Sequence, residues 1–134
     1  MTEQEQNCIF CKIIKSEIPS FKIYEDDKFF CFLDINPLSK GHSLLIPKEH
    51  HVWMNETPDE LVAETFIMTK RIMNMMIKEI PCDFVQIQII GKDVPHFHIH
   101  LIPRNMSDDL SKRQIVEYID GEQDAIISKI KNAL

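Results

Sequence analysis

Three of the six histidines fall in one run, His96-Phe97-His98-Ile99-His100-Leu101-Ile102-Pro103. Side chains alternate along a strand, so His96, His98 and His100 are expected on one face and Phe97, Ile99 and Leu101 on the other, in the core. Packing alone does not explain three imidazoles on one face. Alternate strand residues lie about 6.7 Å apart and the outer pair about 13 Å. Two neighbours can therefore share a metal, but an undistorted strand cannot close three around one ion. Nucleophilic chemistry fits better: one imidazole attacks while its neighbours orient it, bind charge or protonate a leaving group. A pKa of about 6.5 keeps neutral and cationic imidazole both within reach near pH 7. A second feature is Cys8-x-x-Cys11. It puts two sulfurs one helical turn apart, and tetrahedral zinc would need two further ligands, usually histidines. The competing reading is a pair of reduced thiols packed in a helix. Cys31 and Cys82 read as buried thiols.

The histidine run resembles the His-φ-His-φ-His-φ-φ motif (φ, apolar) of the histidine-triad (HIT) nucleotide hydrolases and transferases, in the compact bacterial-type branch with an N-terminal Cys-x-x-Cys. Other segments carry the resemblance too. They are Cys8-Ile9-Phe10-Cys11-Lys12-Ile13-Ile14, Glu17-Ile18-Pro19-Ser20, Phe32-Leu33-Asp34-Ile35-Asn36-Pro37 and Lys40-Gly41-His42-Ser43-Leu44-Leu45-Ile46-Pro47-Lys48-Glu49-His50. Residues 8–104 are covered. The resemblance implies an α+β fold with a five-stranded antiparallel sheet, a homodimer, a purine nucleotide substrate and no organic cofactor. The implied reaction releases a nucleoside monophosphate from a conjugate of phosphoramidate type, through a nucleotidyl-histidine that water resolves.

By position, the resemblance makes His98 the nucleophile. His100 would contact the phosphate or leaving group, His96 would support the site, and His42 is the upstream fourth histidine. Ile9, Phe10, Ile13, Phe32 and Ile35 match base-pocket positions, and Asp34 matches the carboxylate that holds the ribose hydroxyls. Some relatives with this Cys-x-x-Cys bind structural zinc at positions matching Cys8, Cys11, His50 and His96, with His51 competing for the place of His50. One segment departs from the family. Relatives usually read Gly-Gln-Ser/Thr-Val-x-His, with a hydroxyl donating to phosphate, whereas this chain reads Gly91-Lys92-Asp93-Val94-Pro95-His96. An ionised Asp93 repels phosphate, and Lys92 is the candidate compensating cation. The family's usual Asn falls on Val85, with Gln86 or Gln88 as substitutes. Two alternatives stand beside the phosphoramidate reading: a dinucleoside polyphosphate hydrolase, and a nucleotide-binding or scaffold protein with weak turnover.

These residues need elements to position them. Cys8 to Lys15 predicts a short helix with Ile9, Phe10 and Ile13 near one face, after a frayed stretch 1–7. Strands are expected at Lys22 to Glu25, Phe29 to Leu33 and Ser43 to Ile46. A central helix is expected to start at an N-cap Thr57, with Pro58 next and Glu60 three residues after the cap. Its core stripe reads Val62, Phe66, Met73, Met76, Ile77 and Ile80. That leaves Met68, Ile72 and Met75 as a surplus apolar face for a dimer, together with a strand over Phe84 to Ile90. Val94 to Ile102 is the next strand. Ser111-Lys112-Arg113-Gln114 resembles a capping box opening a C-terminal helix with Ile115, Ile119, Ile126 and Ile130. The reading is one domain over 1–134, with 105–134 a helical extension.

Composition narrows the class. The chain has 134 residues, enough for one domain with a real core. With 15 Lys+Arg against 21 Asp+Glu the net charge is -6, which argues against nucleic acid as a specific partner. No apolar run approaches a membrane span, and the polar, acidic first six residues do not read as an export signal. A cytoplasmic, reducing setting without disulfides is expected.

Overall fold

The computed structural model describes residues 2–132. Five strands, β1 (Lys22–Glu25), β2 (Phe29–Leu33), β3 (Ser43–Pro47), β4 (Phe84–Gln88) and β5 (Ile99–Arg104), form one sheet in the order β1-β2-β3-β5-β4. Every neighbouring pair is antiparallel. The expected fold class is therefore present. β2 and β3 are buried at every position because each face of the sheet carries its own helix. On one face lies the long helix α3 (Asp59–Glu79), whose Met68, Ile72, Met75 and Met76 meet Phe29, Cys31, Leu33, Leu45, Phe97, Ile99 and Leu101. On the other lies α2 (Ile9–Ile14), whose Phe10, Cys11 and Ile13 cluster with Phe30, Phe32, Leu44 and Ile46. The period-2 alternation of β2, β3 and β5 thus feeds two cores at once.

Several local expectations change. The N-terminal stretch is not frayed throughout: α1 (Glu3–Asn7) forms a short helix, capped by Thr2 Oγ1 accepting from the Glu5 N–H. In α2, Cys8 is the N-cap, with its sulfur 3.4 Å from the Cys11 N–H, and Ile9 faces outward. Thr57 does not cap α3. Its hydroxyl donates back to the Trp53 carbonyl, and Pro58 occupies the cap position with no side-chain bond. The core stripe of α3 is also rotated from the expected one. Met68, Ile72 and Met75 are buried in the protomer's own core, so they are not a surplus face, whereas Phe66, Ile67 and Ile77 are exposed. Apolar residues on all sides of this helix left its orientation to the sheet.

β5 is shorter at its start than expected: His96 lies in a bend and His98 precedes the strand. β4 ends at Gln88, leaving Ile89 and Ile90 beyond the ladder. The C-terminal helix α4 (Glu122–Asn132) begins after Gly121, which adopts φ +81°. Ile115 and Ile119 precede it and are exposed, while Ile127 and Ile130 are buried against the α3 core. The capping-box reading at Ser111 is overturned, since residues 112–119 form no regular element.

Candidate active site and metal cluster

The four site histidines sit on the α2 face of the sheet, divided into two clusters. Phe97, Ile99 and Leu101 point into the α3 core, as the alternation predicts. The face carrying His98 is not solvent-directed, however: its ring stands edge-on to Phe10 at 5.0 Å and is 5% exposed. Phe10 also contacts Phe32 at 5.6 Å, so α2 forms an apolar wall beside the imidazole.

The hydrogen bonds assign the tautomers. His98 Nδ1 lies 2.6 Å from the His96 carbonyl, an acceptor only, so Nδ1 carries the proton and Nε2 keeps a free lone pair. His42 is read in the same way. The Leu38 N–H donates to His42 Nδ1 (3.0 Å), which puts the His42 proton on Nε2. That N–H donates to His100 Nδ1 at 2.9 Å, leaving the proton of His100 on Nε2. Burial is the main reason all three are held below the usual histidine range, His42 to about 3 and His100 to about 4, so they stay neutral at pH 7. Asp34 Oδ2 lies 3.5 Å from His42 Nε2 and 4.0 Å from His100 Nδ1, while Oδ1 accepts the Asn36 N–H. Burial pushes the Asp34 carboxyl up.

The loop between β2 and β3 supplies both Asp34 and His42. The Asp34 N–H donates to the His42 carbonyl, closing the loop onto the sheet. Gly41, at φ +96°, allows the turn, and a Cβ there would stand 2.6 Å from Ile80 Cδ1.

The second cluster joins Cys8, Cys11, His50 and His96, whose ligand atoms all lie within 4.8 Å of one another. His96 Nε2–H donates to the Pro47 carbonyl (2.7 Å), so its Nδ1 lone pair faces the sulfurs. That Nδ1 is 3.5 Å from both Cys8 Sγ and Cys11 Sγ and 3.2 Å from His50 Nδ1, and Cys11 Sγ is 3.3 Å from His50 Nδ1. Bond lengths of about 2.0–2.3 Å around a tetrahedral zinc put ligand atoms about 3.3–3.8 Å apart, so the donor set fits that ion. Burial pushes the Cys11 thiol up to about 12, so ionising it demands a cation close by. His50 Nε2 is buried without a protein partner. His51 instead meets Glu49 at 2.8 Å, away from the cluster.

Asp34, His42 and His100 form a second group with metal-like spacing. The tautomers oppose metal there. His42 presents a proton, not a lone pair, toward His100, because the Leu38 N–H already occupies Nδ1. This group is a hydrogen-bonded relay.

The remaining sequence candidates are distributed unevenly. Ile13 is buried in the α2 cluster, while Ile9 is exposed and Ile35 is 79% exposed at the loop surface. Lys92 and Asp93 are exposed, and the Asp93 carboxylate acts on His98 and His100. Val85 is buried in the α3 core. Gln86 accepts from Arg104 Nε at 2.9 Å, which leaves Gln88, paired directly opposite His100, as the amide on the site face. Sequence reasoning missed the backbone groups of Leu38, Pro47 and His96 that set the tautomers. Main-chain atoms leave no signature in residue types.

An α+β sheet carries a buried imidazole with its Nε2 lone pair free, a second imidazole hydrogen-bonded to a third, and an adjoining thiol–imidazole cluster. The HIT domain family model matches residues 15–107. An adenylylsulfatase of Arabidopsis thaliana is 38% identical, with 97% of this chain and 71% of that protein covered. An adenosine 5'-monophosphoramidase of Saccharomyces cerevisiae is 44% identical over 72% of this chain and 62% of its own length. A zinc-bound histidine-triad protein from Mycobacterium smegmatis superposes with a TM-score of 0.84 at 31% identity, with 96% of both chains covered. The chain belongs to the histidine-triad family. Its class is that of the HIT nucleotide hydrolases.

Proposed function

We propose that this chain hydrolyses conjugates of a purine nucleoside monophosphate, phosphoramidates among them, through a nucleotidyl-His98 intermediate. The observation that carries the reading is the 2.6 Å bond from His98 Nδ1–H to the His96 carbonyl, which leaves Nε2 as a neutral nucleophile. His98 Nε2 attacks the α-phosphorus, and the bond from phosphorus to the leaving atom breaks, with its electron pair going to that atom. The Nε2–H of His100, set by His42, supplies a proton where the leaving atom is an amine nitrogen. Water then attacks phosphorus and gives a proton to the vacated Nε2 of His100, the pair of the P–N bond returns to His98, and the nucleotide leaves. Phe10, Ile13 and Phe32 would form the wall of the base site, with Ile9 and Ile35 at its rim. The Oδ2 of Asp34 is free of backbone bonds and would accept from ribose hydroxyls. Lys92 and Asp93 would flank the phosphate.

Cys8, Cys11, His50 and His96 would hold zinc, and the ion would then tie α2 to the triad strand and fix His96. The similarity to a zinc-bound relative and the tetrahedral spacing support this. A homodimer is supported by the exposed Phe66, Ile67 and Ile77 on α3 beside the sheet-edge strand β4, with Ile89 and Ile90 following. A solution mass measured at micromolar concentration tests it, and a monomer would refute it. The four cysteines are free, as a reducing, cytoplasmic setting requires. Among the described residues no helix is long and apolar enough to cross a membrane. The test of the main reading is to quench turnover in acid-free denaturant and map covalently attached nucleotide by mass spectrometry. Label on His98 is expected. Rapid turnover with no label on His98 would refute the mechanism.

A further inference from the structure

The segment 47–57, between β3 and α3, touches the residues that lead into the triad at three points. The Pro47 carbonyl accepts from His96 Nε2–H at 2.7 Å, and the His51 carbonyl accepts from the Phe97 N–H at 2.6 Å. The third contact is a ring. A Cβ on Gly91 would stand 3.0 Å from Trp53 Cζ3 and 3.2 Å from Cε3, so the six-membered ring of the indole lies directly on the Gly91 backbone. Gly91 is buried and adopts φ +78°, a conformation that L side chains resist. Core filling does not account for Trp53, which is 43% exposed. Its backbone is fixed, because its carbonyl accepts from both the Glu56 N–H and the Thr57 hydroxyl. From Gly91 the chain turns through the exposed Lys92 and Asp93 to Val94, which packs on the α2 cluster of Phe10 and Phe32. The Val94 carbonyl accepts from the His96 N–H at 2.8 Å, and Phe10 is the ring that stands edge-on to His98. The turn is thus pinned at one end by Val94, against the wall of the His98 site, and at the other by Trp53 on Gly91.

We propose that Trp53 is a positioning residue for the substrate's phosphate, acting through Gly91 to hold the 91–94 turn against the site. The inference rests on the reading that Lys92 and Asp93 flank the phosphate. Those two side chains carry opposite charges. The turn therefore favours a phosphate only while its backbone keeps the Lys92 ammonium nearer to it than the Asp93 carboxylate. A turn of this kind gains from being held in one conformation, and loses when it is free to rotate. An indole laid on a glycine restricts the backbone through packing alone, and adds no charge of its own beside the phosphate.

Trp53 is the chain's one tryptophan, so its fluorescence reports on this contact. The test titrates the parent with AMP and with adenosine, which share base and ribose and differ in the phosphate. AMP is expected to change the tryptophan emission, and adenosine at equal occupancy to leave it nearly unchanged. By calorimetry, Trp53→Ala should weaken AMP binding about tenfold and adenosine binding less than about twofold. It should lower kcat on adenosine 5'-phosphoramidate by a similar factor, about tenfold, with metal content as in the parent. Trp53→Phe should restore most of both losses. Gly91→Ala should cost less in the Trp53→Ala background than in the parent, because the ring that meets the new methyl is gone. Equal losses on AMP and adenosine, or loss of metal in Trp53→Ala, would make Trp53 a structural residue only and overturn the proposal. AMP binding without a change in emission would overturn it too. A parent that binds AMP but cleaves no conjugate overturns the hydrolytic reading, and the AMP-to-adenosine affinity ratio then decides for Trp53 alone. A parent that binds neither overturns both.

Discussion

Two clusters of imidazoles meet the two ends of the segment 96–100, and their chemistry diverges because of where a single backbone group binds a ring in each. At His96 the Pro47 carbonyl accepts from Nε2–H, so Nδ1 turns a lone pair toward Cys8, Cys11 and His50. At His42 the Leu38 N–H donates to Nδ1, so Nε2 turns a proton toward His100. One cluster converges lone pairs and suits a cation; the other is a chain of donors and acceptors. Both groups bring two imidazoles to metal-like spacing. Outer-shell bonds, which fix tautomer and ring orientation, make the distinction.

The comparison breaks most visibly at His98, which belongs to the site but whose Nδ1 is held by the backbone of His96. His98→Ala should lower turnover by at least a thousandfold, with the bound metal retained. Activity within tenfold of the parent would remove His98 from the nucleophile's role. On the metal side, Cys8→Ser/Cys11→Ser should lower the zinc content from about one per chain to near none and the melting temperature by roughly 10 °C or more. Elemental analysis after purification without chelator, with thermal unfolding, checks both. Metal content unchanged by the double substitution would count against the cluster.

His42→Ala provides the converse test. It should reduce kcat by about 10- to 100-fold through loss of the bond that orients His100, without changing metal content. Loss of zinc in this variant would mean the two clusters are not separate. The smallest effect expected is on pH-dependent stability. Folding holds His42 near 3 and His100 near 4, below the value of about 6.5 in an unfolded chain. Between those values the unfolded chain binds more protons, so stability is complete above about pH 6.5 and declines as pH falls toward 4. The slope is about 1.4 kcal/mol per pH unit for each imidazole. Urea unfolding at pH 7, 6 and 5 should show a shallower decline in His42→Ala than in the parent. Identical slopes would contradict the buried neutral state of His42.

Much of the fold was legible because it depends on patterns local in sequence. The strands at Phe29–Leu33 and Ser43–Pro47 read from short apolar runs, and the two-faced triad strand read from alternation. The face of α3 did not. Phe66, Ile67, Met68, Ile72, Met73, Met75, Met76 and Ile77 give an apolar residue on every side, and only the sheet selects Met68, Ile72, Met75 and Met76 for the core. Thr57 looked like a cap, but its hydroxyl found the Trp53 carbonyl. Ile115 and Ile119 read as part of a C-terminal helix, but residues 112–119 form no regular element, and Val116 and Tyr118 instead bond Pro37 and Gly41, far away in the chain.

For the site, the residue types themselves selected imidazoles on one face, and the two sulfurs one turn apart at Cys8 and Cys11. Those follow from backbone periodicity, which any strand or helix obeys. The tertiary structure alone decided which nitrogen of each ring holds its proton and that His50, not His51, faces the sulfurs. Backbone groups two and four residues away set His98 and His42, whereas atoms 49 and 58 residues away set His96 and His100, and a hydrogen bond is too short-ranged and directional to be read before the chain has closed.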